Sequence, residues 1–182
     1  MTNYLLSINP SMKNTGFTLW ENKKPILITS LNFSKKDYHY FTDFINIVFL
    51  QCQTNNLGLI DDKTDYSLYL VIERGIFNPK MGRGKETLDH LRGFIAGQFN
   101  KLLTKDMLIS PSEWKSWWSK SINEDIIKFD WIGIGPRAWD KELSLEIANW
   151  LIKQNNWNIE INDHDQAESL LIGWYYLNKE VK

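Results

Sequence analysis

Four side chains in this sequence could share one piece of chemistry: Asn9, Glu73, Asp165 and Glu168. Three are carboxylates and the first is the amide counterpart of one. Each stands at the end of an apolar run or on its flank. Asp165 and Glu168 are spaced i, i+3, which sets their side chains next to each other on a helix. At about 100° of rotation per residue, both fall at the margin of the apolar stripe. Strand-end oxygens converging with such a pair form an oxygen-only site suited to Mg²⁺ or Mn²⁺. Two such ions, roughly 3.5–4 Å apart, activate a water and stabilise the leaving oxygen in phosphodiester hydrolysis. Plainer uses stand beside this one. Asp163 and Asp165 suit the N-terminus of the last helix, Glu73 suits a solvated strand end, and Asn9 before Pro10 suits a turn. His164 is placed either to assist an attacking water or simply to sit exposed.

The elements that must position these groups are read from periodicity. Residues 4–9 form a short apolar strand, followed by a turn rich in Pro, Ser and Asn and a second strand entered through Gly16. Residues 25–33, aliphatic and β-branched, predict a third strand. Phe41, Phe44, Ile45, Val48, Phe49 and Cys52 then recur at helical spacing, which predicts an amphipathic helix over 38–53. After a polar loop at 54–66, residues 68–73 read as a central strand that ends in Glu73. A loop at 76–85 leads into a helix over 86–103 striped by Leu88, Leu91, Ile95, Phe99 and Leu102. Gly93 and Gly97 share a face of that helix, and close packing against another backbone is the expected compensation for their low helix propensity. A fifth strand at 107–109 and a helix starting at 110–113 follow. Residues 119–136 look irregular, and helices are predicted over 140–153 and 164–177. The order β-β-β-α-β-α-β-α-α-α predicts an α/β chain: a five-stranded mixed sheet, a three-strand meander then alternating strands and helices, flanked by helices.

Lys80, Arg83, Lys85 and Arg92 crowd one segment and most simply meet phosphates, with a solvated basic loop as the plain alternative. Lys115 and Lys141 are weaker candidates of the same kind. Phe77 suits either stacking on bases or core packing. Trp114, Trp117 and Trp118 suit a DNA platform, but packing in the core or against a partner is the expectation.

The opening phrase Tyr4-Leu5-Leu6-Ser7-Ile8-Asn9-Pro10-Ser11, with Asn14-Thr15-Gly16, resembles the start of the RuvC-like Holliday junction resolvases. There a hydrophobic strand leads into I-D-P-G and then N-T-G. Val71-Ile72-Glu73 with Phe77-Asn78 is similar to that family's second-acid motif. Leu88-x-x-Leu91-Arg92-Gly93-x-Ile95-Ala96-Gly97 resembles its next helix, and Ser110-Pro111-Ser112-Glu113-Trp114-Lys115 resembles its P-x-x-x-K segment. Gly135-Pro136-Arg137-Ala138-Trp139-Asp140-Lys141 loosely matches a G-x-x-A-x-K stretch. Asp165-Gln166-Ala167-Glu168-Ser169-Leu170-Leu171-Ile172 looks like the closing D-x-A-D-A-L motif. Any one of these is weak, but they occur in order over nearly the whole chain.

The resemblance implies a ribonuclease H-like fold and a structure-selective endonuclease that cuts four-way DNA junctions with two Mg²⁺ ions, Mn²⁺ substituting. Glu73, Asp165 and Glu168 would be metal ligands and catalytic residues, with Asn9 in the fourth position. It also implies a homodimer with the helix around Arg92 and Gly93 near the two-fold, so that two sites cut opposite strands. Asn9 departs from the family, which has a metal-binding Asp there. An amide oxygen brings no negative charge to a site for two dications, so the expectation is a resolvase inactivated at this position. The other readings are a non-cleaving junction-binding protein, a ribonuclease H-like nuclease for RNA–DNA hybrid or flap DNA, and an actin-like nucleotide-binding fold. The last needs a second Gly-rich phosphate loop, which is not found in the sequence.

Composition sets the bounds. A chain of 182 residues suits a single domain over 1–182. With 43% hydrophobic and 24% charged residues it reads as an ordinary globular protein. The single cysteine, Cys52, excludes an internal disulfide and any Cys-based zinc cluster, and it lies on an apolar stripe. No run approaches the roughly 20 apolar residues of a membrane span. The expected setting is the cytoplasm of a bacterium or phage-infected host, with no membrane and no organic cofactor. A net charge of −1 leaves DNA binding to local patches.

Overall fold

The computed structural model describes residues 2–33, 39–54, 66–75, 83–123 and 139–179. Strands β1 (Thr2–Asn9), β2 (Thr15–Glu21) and β3 (Lys24–Leu31) form an antiparallel meander. The β2–β3 turn places Asn22 and Lys23 at φ of 47° and 66°, the left-handed pair that a two-residue hairpin needs to match strand twist. β4 (Tyr66–Glu73) and β5 (Leu108–Ile109) add in parallel on the other side of β1, giving the sheet order β3-β2-β1-β4-β5. The chain is α/β with a mixed, open five-stranded sheet. Its described helices are α1 (His39–Thr54), α2 (Arg83–Gln98), α3 (Pro111–Asn123), α4 (Lys141–Gln154) and α5 (His164–Asn178).

Strand alternation divides the core in two. Tyr4, Leu6, Ile8, Phe17, Leu19, Leu70 and Ile72 face one way, toward Phe41, Phe44 and Val48 of α1 and Leu91 and Ile95 of α2. Leu5, Trp20 and Val71 face the other way and pack with Trp114 and Trp118 of α3, Ile147 and Leu151 of α4, and Leu170 and Leu171 of α5. Trp114 and Trp118 are fully buried, as their expected packing role requires, and Cys52 is buried on α1. Because Ser7 and Asn9 share parity with Leu5, both face α5. This is the packing that makes the site.

Three expectations are corrected. α2 ends at Gln98, not near 103, because Asn100 enters the left-handed region at φ 52° and Lys101 N–H bonds back to the Ala96 carbonyl at 2.9 Å. Leu102, counted on the stripe, is therefore 84% exposed. α3 runs on to Asn123, into the stretch expected to be irregular; residues 124–138 lie outside the described residues. Among the described residues Gly93 and Gly97 are not packed against a backbone, since a Cβ at either would meet nothing there within 4 Å. Among the described residues, no helix is long and apolar enough to cross a membrane.

Candidate active site

β1 and β4 run parallel with Ile8 opposite Ile72, so Asn9 and Glu73 end at the same rim of the sheet. α5 lies across the β1–β2 hairpin at very short range. Gly16, the partner of Asn9 in the ladder, is what allows this: a Cβ there would sit 1.9 Å from the Asp165 carbonyl oxygen. Two ladder pairs further along, on the same face, Ser7 Oγ donates to the Ser169 carbonyl at 2.7 Å, and Thr18 and Ser169 share a hydroxyl hydrogen bond of 2.7 Å. Trp20 Nε1 donates to Ser7 Oγ at 2.9 Å, and Gly173 leaves room for both side chains. These buried polar contacts fix the roll of α5, because a rotated helix would leave several hydroxyls unpaired.

The start of α5 is fixed separately. Asp163 is its cap, accepting from Gln166 N at 2.8 Å and from Ser30 Oγ at 2.6 Å. Asp165 is thereby released from capping and turns inward. Asn9 Nδ2 lies 2.9 Å from Glu168 Oε2 and 3.3 Å from Asp165 Oδ1. Ionised carboxylates only accept hydrogen bonds, so the amide must present its NH₂ group to both. The remaining Glu168 oxygen takes Lys115 Nζ at 3.3 Å and Ser144 Oγ at 3.3 Å. His164 Nε2 lies 3.2 Å from Asp165 Oδ2. Lys115 sits over the rings of Trp114 and Trp139, 4.9 and 5.9 Å from their centres, and Trp139 Nε1 donates to Ser144 Oγ at 3.0 Å.

Glu73 completes the rim from β4. Its carboxylate accepts from Trp114 Nε1 at 2.8 Å, and its backbone carbonyl accepts from Arg92 Nε at 2.8 Å. Burial pushes the Glu73 carboxyl up to about 7, against the Trp114 hydrogen bond and helped by the nearby Glu168 charge. Burial likewise raises Asp165 to about 6, with His164 opposing.

The four candidate acid-site residues thus converge: Asn9, Asp165 and Glu168 in direct contact, and Glu73 within charge range of Glu168 and Lys115. Lys115 belongs to this cluster, and Lys141 is close enough to lower Asp165 electrostatically. Arg92 does not face solvent, contrary to its expected role on phosphates. It is 3% exposed, with Nη1 on Asp89 at 2.9 Å, and works as a strut under Glu73. Phe77 and Lys80 lie outside the described residues, as do the side chains of Arg83 and Lys85 at the start of α2. Ser144, Trp139 and the Trp114 hydrogen bond were not anticipated. The available signal for Ser144 was a small hydroxyl on the buried stripe of α4, between Leu143 and Ile147.

The donor set also tests the expected metal pair. Among the described residues, no group of three or more His, Cys, Asp or Glu could hold a metal ion. Asn9 offers the two acids hydrogen-bond donors where a dication would need acceptors, and an ammonium already sits on Glu168. As the chain stands, these residues do not fit two divalent ions. The chain matches no protein-family model, and no curated protein matches it.

Proposed function

We propose that this chain is a DNA-junction-binding domain of the RuvC-like resolvase type, with a ribonuclease H-like fold, whose phosphodiesterase centre is held shut by Asn9. Several features support the reading. A three-strand meander followed by two parallel strands is the expected sheet. Two strand ends and the first two turns of α5 bring the candidate residues to one rim. The observation that carries it is the Asn9 amide, 2.9 and 3.3 Å from Glu168 and Asp165. An Asp in the same place would set a third carboxylate directly against Glu168 and Asp165, an arrangement that favours cations. Asn turns that repulsion into two hydrogen bonds and removes the charge that would hold ions for cleavage.

Binding would fall to the basic segment at Lys80, Arg83 and Lys85, which leads into α2. Lys115 and Lys141 lie beside the acids. The Gly93 and Gly97 face of α2, unpacked among the described residues and with Phe94 partly exposed beside it, suits the two-fold contact of a homodimer. Such a dimer would present two sites to a four-armed substrate. The setting would be the cytoplasm of a bacterium or phage-infected host.

Competition between a labelled four-way junction and a linear duplex of the same arm sequence tests the reading. The junction is expected to be retained at a duplex excess that abolishes non-specific binding. Equal affinity for both DNAs would reject it.

A further inference from the structure

We infer that the acid site of this chain is neutralised from within, and that Asn9 and Lys115 together exclude divalent cations from it. The inference rests on the reading of Asn9, Glu73, Asp165 and Glu168 as a former reaction centre, but it concerns the charge balance of that centre and not its DNA. Two carboxylates brought to one amide, with a third nearby, repel one another strongly when partly buried. In a cation-binding site that repulsion is relieved by the ion. Here it is relieved by the protein. The Asn9 NH₂ group spans Glu168 and Asp165, His164 stands at 3.2 Å on the far oxygen of Asp165, and Lys115 brings a full positive charge to Glu168 at 3.3 Å.

Lys115 is also held in place. Trp114 and Trp139 meet edge to face, their ring centres 5.1 Å apart, and both lie beneath its ammonium, an attraction that strengthens as water is excluded. Each ring is itself tied to an acid: Trp114 Nε1 binds Glu73, and Trp139 Nε1 binds Ser144, whose hydroxyl reaches Glu168. The result is a closed circuit of Trp114, Lys115, Glu168, Ser144 and Trp139, with Glu73 joined to it through Trp114. A metal ion entering it would have to displace the amide and the ammonium together, since both occupy oxygens the ion would need.

The test is calorimetric titration with MnCl₂ alone, paired with thermal unfolding, on the native chain, Lys115→Met, Asn9→Asp and the double variant. Lys115→Met keeps an apolar stem over the two rings and removes the charge. The native chain is expected to give no saturable heat and no midpoint shift at millimolar Mn²⁺. The double variant is expected to bind, with its midpoint rising by roughly 5–10 °C at a hundred times Kd. Saturable binding to the native chain, abolished by Glu168→Gln, would overturn the inference. So would a folded double variant that binds no better than the native chain. Should the double variant not fold, Asn9→Asp alone decides, since it must bind Mn²⁺ more tightly than the native chain. Junction affinity measured beside it separates the two claims: junction preference with Mn²⁺ binding refutes only this inference, and lost preference without Mn²⁺ binding refutes only the proposed function.

Discussion

Gly16 faces the backbone carbonyl of Asp165 so closely that a Cβ on Gly16 would lie 1.9 Å from that oxygen. The hairpin and α5 therefore meet backbone to backbone at the residue that delivers Asp165 to the site. Gly16→Ala is expected to lower stability by about 3 kcal/mol, since neither backbone can yield without moving the sheet or the helix. Gly93→Ala, on a face of α2 that is open among the described residues, is expected to be neutral or to stabilise a monomer by up to about 1 kcal/mol. Urea unfolding of both variants checks this, and equal effects would contradict the packing described.

The raised carboxyls give the chain a pH signature. Glu73 and Asp165 titrate near 7 and 6 when folded, against ordinary values of 4.5 and 3.8. Between these limits the folded chain holds protons that the unfolded chain has released. Their contribution is therefore complete below about pH 4 and is lost as pH rises through 6 and 7. Subtracting the Glu73→Gln profile from that of the native chain should isolate a loss of stability with rising pH, centred between 4.5 and 7. A flat difference would mean Glu73 is as well solvated as in the unfolded chain, and a rising one would mean that Trp114, Lys115 and Arg92 stabilise its carboxylate more than burial opposes it.

Trp114→Phe removes the Nε1–H donor from a buried carboxyl and leaves the ring volume mostly filled. The expected loss is about 2 kcal/mol, in the range for hydrogen bonds to charged groups, with the Glu73 carboxyl pushed higher still. Denaturant midpoints and the pH profile of the variant measure both. A variant as stable as the native chain would show the contact to be incidental.

Arg92 separates support from DNA contact. Arg92→Lys keeps the charge but loses the Nε donor to the Glu73 carbonyl, so a loss of about 1–2 kcal/mol is expected. The slope of log affinity against log salt on junction DNA should not change. Removing a true phosphate contact in a charge-deleting variant, Arg92→Gln, would reduce that slope by about 0.9.

What was legible in the sequence was local. The Asp163 cap and apolar stripe of α5 lie within a few consecutive turns, so the helix could be placed to within a residue of its observed start and end. The end of α2 was missed because its apolar period continues to Leu102 past the turn that Asn100 makes. Arg92 misleads for a related reason. It follows the basic residues Lys80, Arg83 and Lys85, but it stands four residues after Leu88 and three before Ile95, on the buried face. What it supports, the carbonyl of Glu73, is set by the sheet. The bond from Asn9 to Glu168 joins residues 159 apart in sequence; periodicity carries no information about it, and only the family resemblance suggested that those positions converge.

The central claim is that Asn9 is the main block that keeps this chain from cutting, with Lys115 adding to it. The direct measurement is cleavage of a labelled four-way junction in Mg²⁺ by the native chain and by Asn9→Asp, with a linear duplex as control. Restoring one carboxylate should raise junction cleavage by at least about a hundredfold, roughly 2.7 kcal/mol of barrier, and yield paired nicks in opposite strands. Equal rates from the two proteins, or nicks in the duplex as readily as in the junction, would contradict the account.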